Sequence, residues 1–439
     1  MLTAASSHAF AQNCTDDFLG TKALYKSPTT KVHAAPTGYE PVVINYVGRH
    51  GARHLTKDVS TYYTYKLLLQ ADSAQGLTAD GLKLKQAVLN LNKVEKGNTK
   101  FISGEGKTEL RGIAQRLYAD NSNVFKSKEK LHFKVSYTKE VRTKQSADAF
   151  LGGLKAMLKD SVDIDWAADD LNLRFFDAAP TYKAFEGKGD YAADIEKLTK
   201  AVGLDKINND FTARIFKPDY LRLLTEENRA QLVNDIFGFA TISYSVMDEA
   251  AKIGIKPSEI DFKPFFTCDE ILGLAKLDVA DDYYKKGPGI DLNGIQVRIA
   301  APLLVDFLNS SDELLKRDYY KANLRFGHAE TIIPIAALMD ISTADKATHD
   351  INQVDKVWRS AEVAPLTSNI QWIFYKKKGS DNILVKVLLN EKEAHITGLP
   401  ITGFPYYRWT DLREFYVKKL QKLNVGLDDN MKTYLAKIK

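Results

Sequence analysis

The chain has 439 residues, 44% hydrophobic and 27% charged, with 61 Lys and Arg against 56 Asp and Glu for a formal net charge of +5. That length exceeds one ordinary core and points to two domains, and the balance excludes a fibrous or low-complexity chain. The cationic excess comes without long basic runs or aromatic-basic repeats, which argues against a nucleic-acid groove and for a local pocket that takes a small polyanion. No apolar run approaches the roughly 20 residues that span a bilayer.

At the N-terminus, Ala9-Phe10-Ala11 before Gln12 has the small-x-small pattern of signal peptidase cleavage. Residues 1–11 are therefore read as the remnant of a signal peptide and the protein as periplasmic or secreted. Gln12 and Asn13 stand where a lipoprotein anchor at Cys14 would need small residues. Cys14 and Cys268 are the only cysteines, which allows one intrachain disulfide and excludes a cysteine-rich metal site.

VVINYVGRHGARHLTK, Val42 to Lys57, then reads as a buried strand that ends abruptly in guanidiniums, imidazoles and glycines. Helical periodicity follows over roughly Val59 to Gln70, Thr78 to Val94 and Thr108 to Tyr118. LHFKVSY, Leu131 to Tyr137, alternates as a strand, and a loop carrying Arg142 leads from it into a helix. From about Asp163 to Arg317 the pattern is mostly helical. Strands return in ANLRFGH, SNIQWIFYKKK and NILVKVLLNE, the last two joined by Gly379-Ser380-Asp381 as a hairpin. Strands early, helices in the middle and strands late imply an α/β domain, 12–162 and 318–439, split by a helical insertion, 163–317.

Position gives the RHGAR stretch its meaning, because ligands of an α/β sheet bind at the carboxyl ends of its strands. Arg49 and Arg53 offer planar forks that fit phosphate oxygens. His50 and His54 have the i, i+4 spacing of a zinc-binding helix, but Gly51 follows His50 where that motif wants Glu. The strand ANLRFGHAE brings His328 and Glu330 to its own carboxyl end, and Glu330 alone would be explained as a first-turn acid of the next helix. Arg142 follows a third strand. Three strand ends converging on arginines, histidines and one carboxylic acid form the candidate site.

RHGAR, VRTKQSADAFLGGL and the HAE of GHAETIIP resemble the histidine acid phosphatase superfamily, in its multiple inositol polyphosphate phosphatase branch, whose His-Ala-Glu form replaces the wider family's His-Asp. LTADGLKLKQ, LRFFDAAPTYKAF, DDYYKKGPG, APLLVDF and VKVLLNE extend the similarity from about Pro41 to Glu391. The resemblance implies a mixed-sheet α/β domain of histidine phosphatase type with an inserted, mostly helical domain. It implies His50 as a nucleophile that forms a phosphohistidine, Glu330 as proton donor, and Arg49, Arg53, Arg142 and His328 as binders of the scissile phosphate, with no metal and no cofactor. The implied substrate is an inositol polyphosphate such as phytate, with a broad acid or sugar phosphatase, a polyanion binder without turnover and a metallohydrolase on His50, His54 and His328 as rivals.

Two departures stand out: Leu55 occupies the place of a loop-stiffening proline, and the Glu is shifted by one residue from the family's Asp, which makes transfer of regiospecificity unsafe. Among the insertion's cations, Lys183 is taken as the substrate contact. Arg174 and the Lys285-Lys286 pair are read as solvated, and His54 as structural or as a support behind the phosphate-binding groups.

Overall fold

Val43 to Arg49 is buried without alternation, the pattern of a strand covered on both faces. A computed structural model describes residues 14–126, 130–158, 162–317 and 319–439, so the signal-peptide reading of 1–11 lies outside the described residues. The strands are β1 (Tyr39–Arg49), β2 (Leu131–Tyr137), β3 (Val162–Ala168), β4 (Tyr320–Gly327), β5 (Asn369–Lys377), β6 (Leu384–Leu389), β7 (Lys392–Glu393) and β8 (Tyr406–Arg408). They form one mixed sheet in the order β3-β2-β4-β1-β5-β6-β7, with β8 also on β6. β1 runs parallel to β4 and antiparallel to β5, and β2 is parallel to both β4 and β3. β5 and β6 form the expected antiparallel hairpin.

The chain divides into two compact units. Among the described residues, those of 14–23, Arg53–Glu105 and Asp194–Asp278 form a helical one; those of Leu24–Ala52, Gly106–Ala193 and Val279–Lys439 form the other, which carries the sheet. These are not the boundaries expected from sequence. Helices α1 (Tyr63–Ser73) and α2 (Ala79–Glu95) share a buried cluster with the insertion: Leu67, Leu68, Leu84 and Leu91 are in it together with Phe211, Ile236, Phe239 and Phe262. Burial of those apolar stripes is what assigns the two helices to the helical unit. Polar pins hold it: Thr64 Oγ1 donates to Asp235 (2.9 Å), Arg214 to Glu270 (2.9 Å), and a disulfide joins Cys14 to Cys268.

Two segments expected in the insertion belong to the sheet-bearing unit. β3, VDIDWAA, is an exposed edge strand too short and polar to stand out from the helical pattern around it. The helix Ala301–Lys316 lies on the sheet through a buried network, in which Arg325 donates to Asp306 (2.6 Å) and Asn45 Nδ2 to Ser311 Oγ (2.8 Å). Arg325 is almost wholly buried, so the network satisfies a charge that would otherwise be costly there. Among the described residues no helix is long and apolar enough to cross a membrane.

Candidate active site

β2, β4 and β1 are adjacent and parallel, so their carboxyl ends lie at one edge of the sheet. Arg49 is in register with Gly327, and Tyr137 with Phe326. The residues that follow each strand therefore meet for a topological reason. After β1 the His50 N–H bonds the Gly327 carbonyl (3.0 Å), and the Thr367 N–H bonds the His50 carbonyl (3.1 Å), which fixes the turn from both sides. Gly51 N–H donates to Ser146 Oγ (3.0 Å) and Ala52 N–H to Glu109 Oε2 (3.4 Å).

The glycines of RHG and of helix α3 (Gly104–Asp120) let these backbones touch. A Cβ on Gly106 would stand 2.2 Å from the Ala52 carbonyl oxygen and 2.6 Å from its nitrogen. Gly106→Ala is therefore expected to lower stability by about 1–3 kcal/mol and to displace the His50 turn, read as a fall in thermal midpoint and in turnover. An unchanged midpoint would contradict this close approach.

His50 is buried, and its Nδ1 lies 3.0 Å from the Gly51 carbonyl oxygen. A carbonyl only accepts, so Nδ1 carries the proton and a neutral ring has its lone pair on Nε2. The His328 ring stands edge-on to it with centroids 5.6 Å apart. Arg142, in the first turn of helix α4 (Val141–Lys155), places Nη2 3.3 Å from His328 Nδ1. Thr138 Oγ1 and Arg174 Nη1 lie 3.0 and 3.3 Å from His328 Nε2. Guanidiniums only donate, so a neutral His328 accepts from one of the two arginines. Burial, then Arg142, Arg174 and Arg49, pull the His328 imidazole down to about 3 against the opposing charge of Glu330.

Glu330 opens the helix Ala329–Leu338, with His328 as its N-cap. Burial pushes its carboxyl up, but Lys286 and Arg49, with a hydrogen bond from its own backbone N–H, outweigh this and hold it well below the usual carboxylate range. Lys286 Nζ lies 3.4 Å from Glu330 Oε1. Arg49 donates to the Ala364 carbonyl (2.7 Å).

Arg49, His50, Arg142, His328 and Glu330 thus belong to one cluster. Arg53 lies in the helical unit, where its guanidinium bonds the His54 carbonyl (2.8 Å) and its backbone bridges to Ile102. His54 is buried in the same unit with Nδ1 3.4 Å from Glu95 Oε1, in keeping with a structural residue. Among the described residues no three His, Cys, Asp or Glu side chains are grouped to hold a metal ion. Lys183 is half exposed and 3.7 Å from Asp177, which also binds Arg174 (2.6 Å). Two cations read from sequence as solvated, Arg174 and Lys286, are the ones turned into the cluster. Their positions depend on tertiary packing, and the one signal in the sequence was their place inside LRFFDAAPTYKAF and DDYYKKGPG.

The profile of the histidine phosphatase superfamily (branch 2) matches residues 43–390. The chain belongs to this superfamily. The match runs from β1 through β6. Multiple inositol polyphosphate phosphatase 1 of Homo sapiens is 24% identical over 380 residues, 80% of this chain and 74% of that protein. The Bifidobacterium longum multiple inositol polyphosphate phosphatase, solved with inositol hexasulfate, superposes with a TM-score of 0.78 at 20% identity, covering 91% of this chain and 97% of that one. The phytase from D. castellii superposes at 0.60 with 16% identity, over 92% and 85% of the two chains. Within this histidine phosphatase the mixed sheet and the helical unit are thus the family's architecture.

Proposed function

We propose that this histidine phosphatase hydrolyses inositol polyphosphates such as phytate through a phosphohistidine on His50. The observation that carries the reading is the packing of two guanidiniums, Arg142 and Arg174, on buried His328, beside an imidazole whose lone pair sits on Nε2. His50 Nε2 attacks phosphorus; the P–N bond forms as the P–O bond to the inositol breaks, and the leaving alkoxide takes the proton of Glu330. Arg49, Arg142 and His328 hold the nonbridging oxygens while their charge grows, and Arg174 joins them. Water then attacks phosphorus, the P–N bond breaks, and the Glu330 carboxylate takes the water's proton.

Each step is supplied by side chains of this chain, so no metal or organic cofactor is required. The names of the relatives and the inositol hexasulfate bound by the Bifidobacterium protein support a polyanionic substrate. Export to the periplasm or medium is part of this reading, supported by the Ala9-Phe10-Ala11 pattern and by the bonded Cys14 and Cys268.

A time course of phytate with product isomers resolved, run beside an aryl and a hexose phosphate, tests the proposal. Stepwise loss of phosphate from phytate in preference to the simple esters is expected. Equal rates on all three would make the protein a broad acid phosphatase, and binding of phytate without release would make it a polyanion binder.

A further inference from the structure

The segment DDYYKKGPG holds one residue that the scheme above leaves idle. At the end of the helix Cys268–Lys285 the N–H groups of Lys286 and Gly287 both bond the Asp282 carbonyl, at 3.0 Å each. A Cβ on Gly287 would meet the Tyr283 carbonyl oxygen at 2.9 Å and the Trp358 ring at 3.2 Å, so the turn is tight and the side chain before it is aimed. Lys286 is 17% exposed, with Nζ 2.7 Å from Asp282 Oδ1 and 3.4 Å from Glu330 Oε1. Asp282 fixes the ammonium from behind and favours its charged form.

We propose that Lys286 is a positioning residue for the proton donor: it holds Glu330 as a carboxylate in the ligand-free protein and releases that hold when the anionic groups of a bound polyphosphate take up its charge. The inference rests on the reading of Glu330 as the donor. A leaving alkoxide needs a proton, yet the groups facing Glu330 mostly favour its ionised form. They are Lys286 from the end of its helix, Arg49 from β1 and Arg142 from α4, with the uncharged His328 ring at the N-cap. Tyr182 and Glu186 face it from the helix Pro180–Lys188, the latter as an opposing negative charge. A carboxylate beside an ammonium loses its proton readily, and negative charge brought to the same ammonium reverses the balance. The substrate therefore loads the acid that cleaves it, and the empty site does not carry a proton it cannot use.

Calorimetry of inositol hexasulfate binding near pH 5, in buffers of different ionisation enthalpy, counts the protons taken up; the sulfates do not titrate there. The wild type is expected to take up protons, with up to about one fewer in Glu330→Gln. Lys286→Met should also take up fewer, because its Glu330 is already partly protonated, and Lys286→Arg should match the wild type. In steady state, the descending limb of kcat/KM for an alkyl phosphate should shift up by about 1–3 pH units in Lys286→Met and stay in place in Lys286→Arg. Wild-type proton uptake and an unmoved limb in Lys286→Met, however slow the variant, would overturn the inference and leave Glu330 as donor. If Glu330→Gln itself changes neither uptake nor the alkyl phosphate rate, the donor reading fails and this role of Lys286 with it.

Discussion

Replacing His50 by alanine is expected to lower phosphate release from phytate by at least about 10³-fold while the fold persists. The bonds that hold the turn in place are main-chain ones, from the His50 N–H to Gly327 and from the Thr367 N–H to the His50 carbonyl, and alanine keeps both. What it removes is the imidazole, oriented by the Gly51 carbonyl so that Nε2 can attack. Rapid acid-free quenching with labelled substrate should trap an acid-labile phosphoprotein in the wild type and none in the variant. Circular dichroism and a thermal midpoint near the wild type's would show that chemistry, not folding, was lost. Substantial residual turnover would take the nucleophile away from His50.

Glu330→Gln is expected to slow hydrolysis of inositol phosphates by about 10²- to 10⁴-fold and to change aryl phosphate hydrolysis far less. An inositol alkoxide leaves only with a proton, whereas a phenolate leaves without one. The direction with pH follows from the site's cations. They hold the free carboxyl below its ordinary range, so the donor is active only where bound substrate has raised it, and alkyl phosphate turnover falls as pH climbs through that raised value. The glutamine variant, having nothing to titrate, should lose this descending limb. Equal losses on aryl and alkyl substrates would remove Glu330 from the donor role.

Much of the site was legible from residue order because parallel strands align their carboxyl ends, so a motif after β1 and another after β4 had to be neighbours once both strands lay in one sheet. The β2 range read from its alternation is the observed one, and α2 begins where Thr78 caps it by accepting from the Gly81 N–H. Other features depend on partners far along the chain. β3 gains its strand character from β2 alone, and α1 and α2 are assigned to the helical unit by apolar contacts with helices more than a hundred residues away. Arg174 and Lys183 are nine residues apart and chemically similar. Both pair with Asp177, and nothing local distinguishes Arg174, which also reaches His328, from Lys183, since only the packing of the intervening backbone does so.

The bond between Cys14 and Cys268 spans 254 positions of sequence, the RHGAR turn among them. More than half of the polypeptide is therefore a closed ring. A protease that nicks this ring once leaves a single covalent molecule, and the fragments separate only under a reductant.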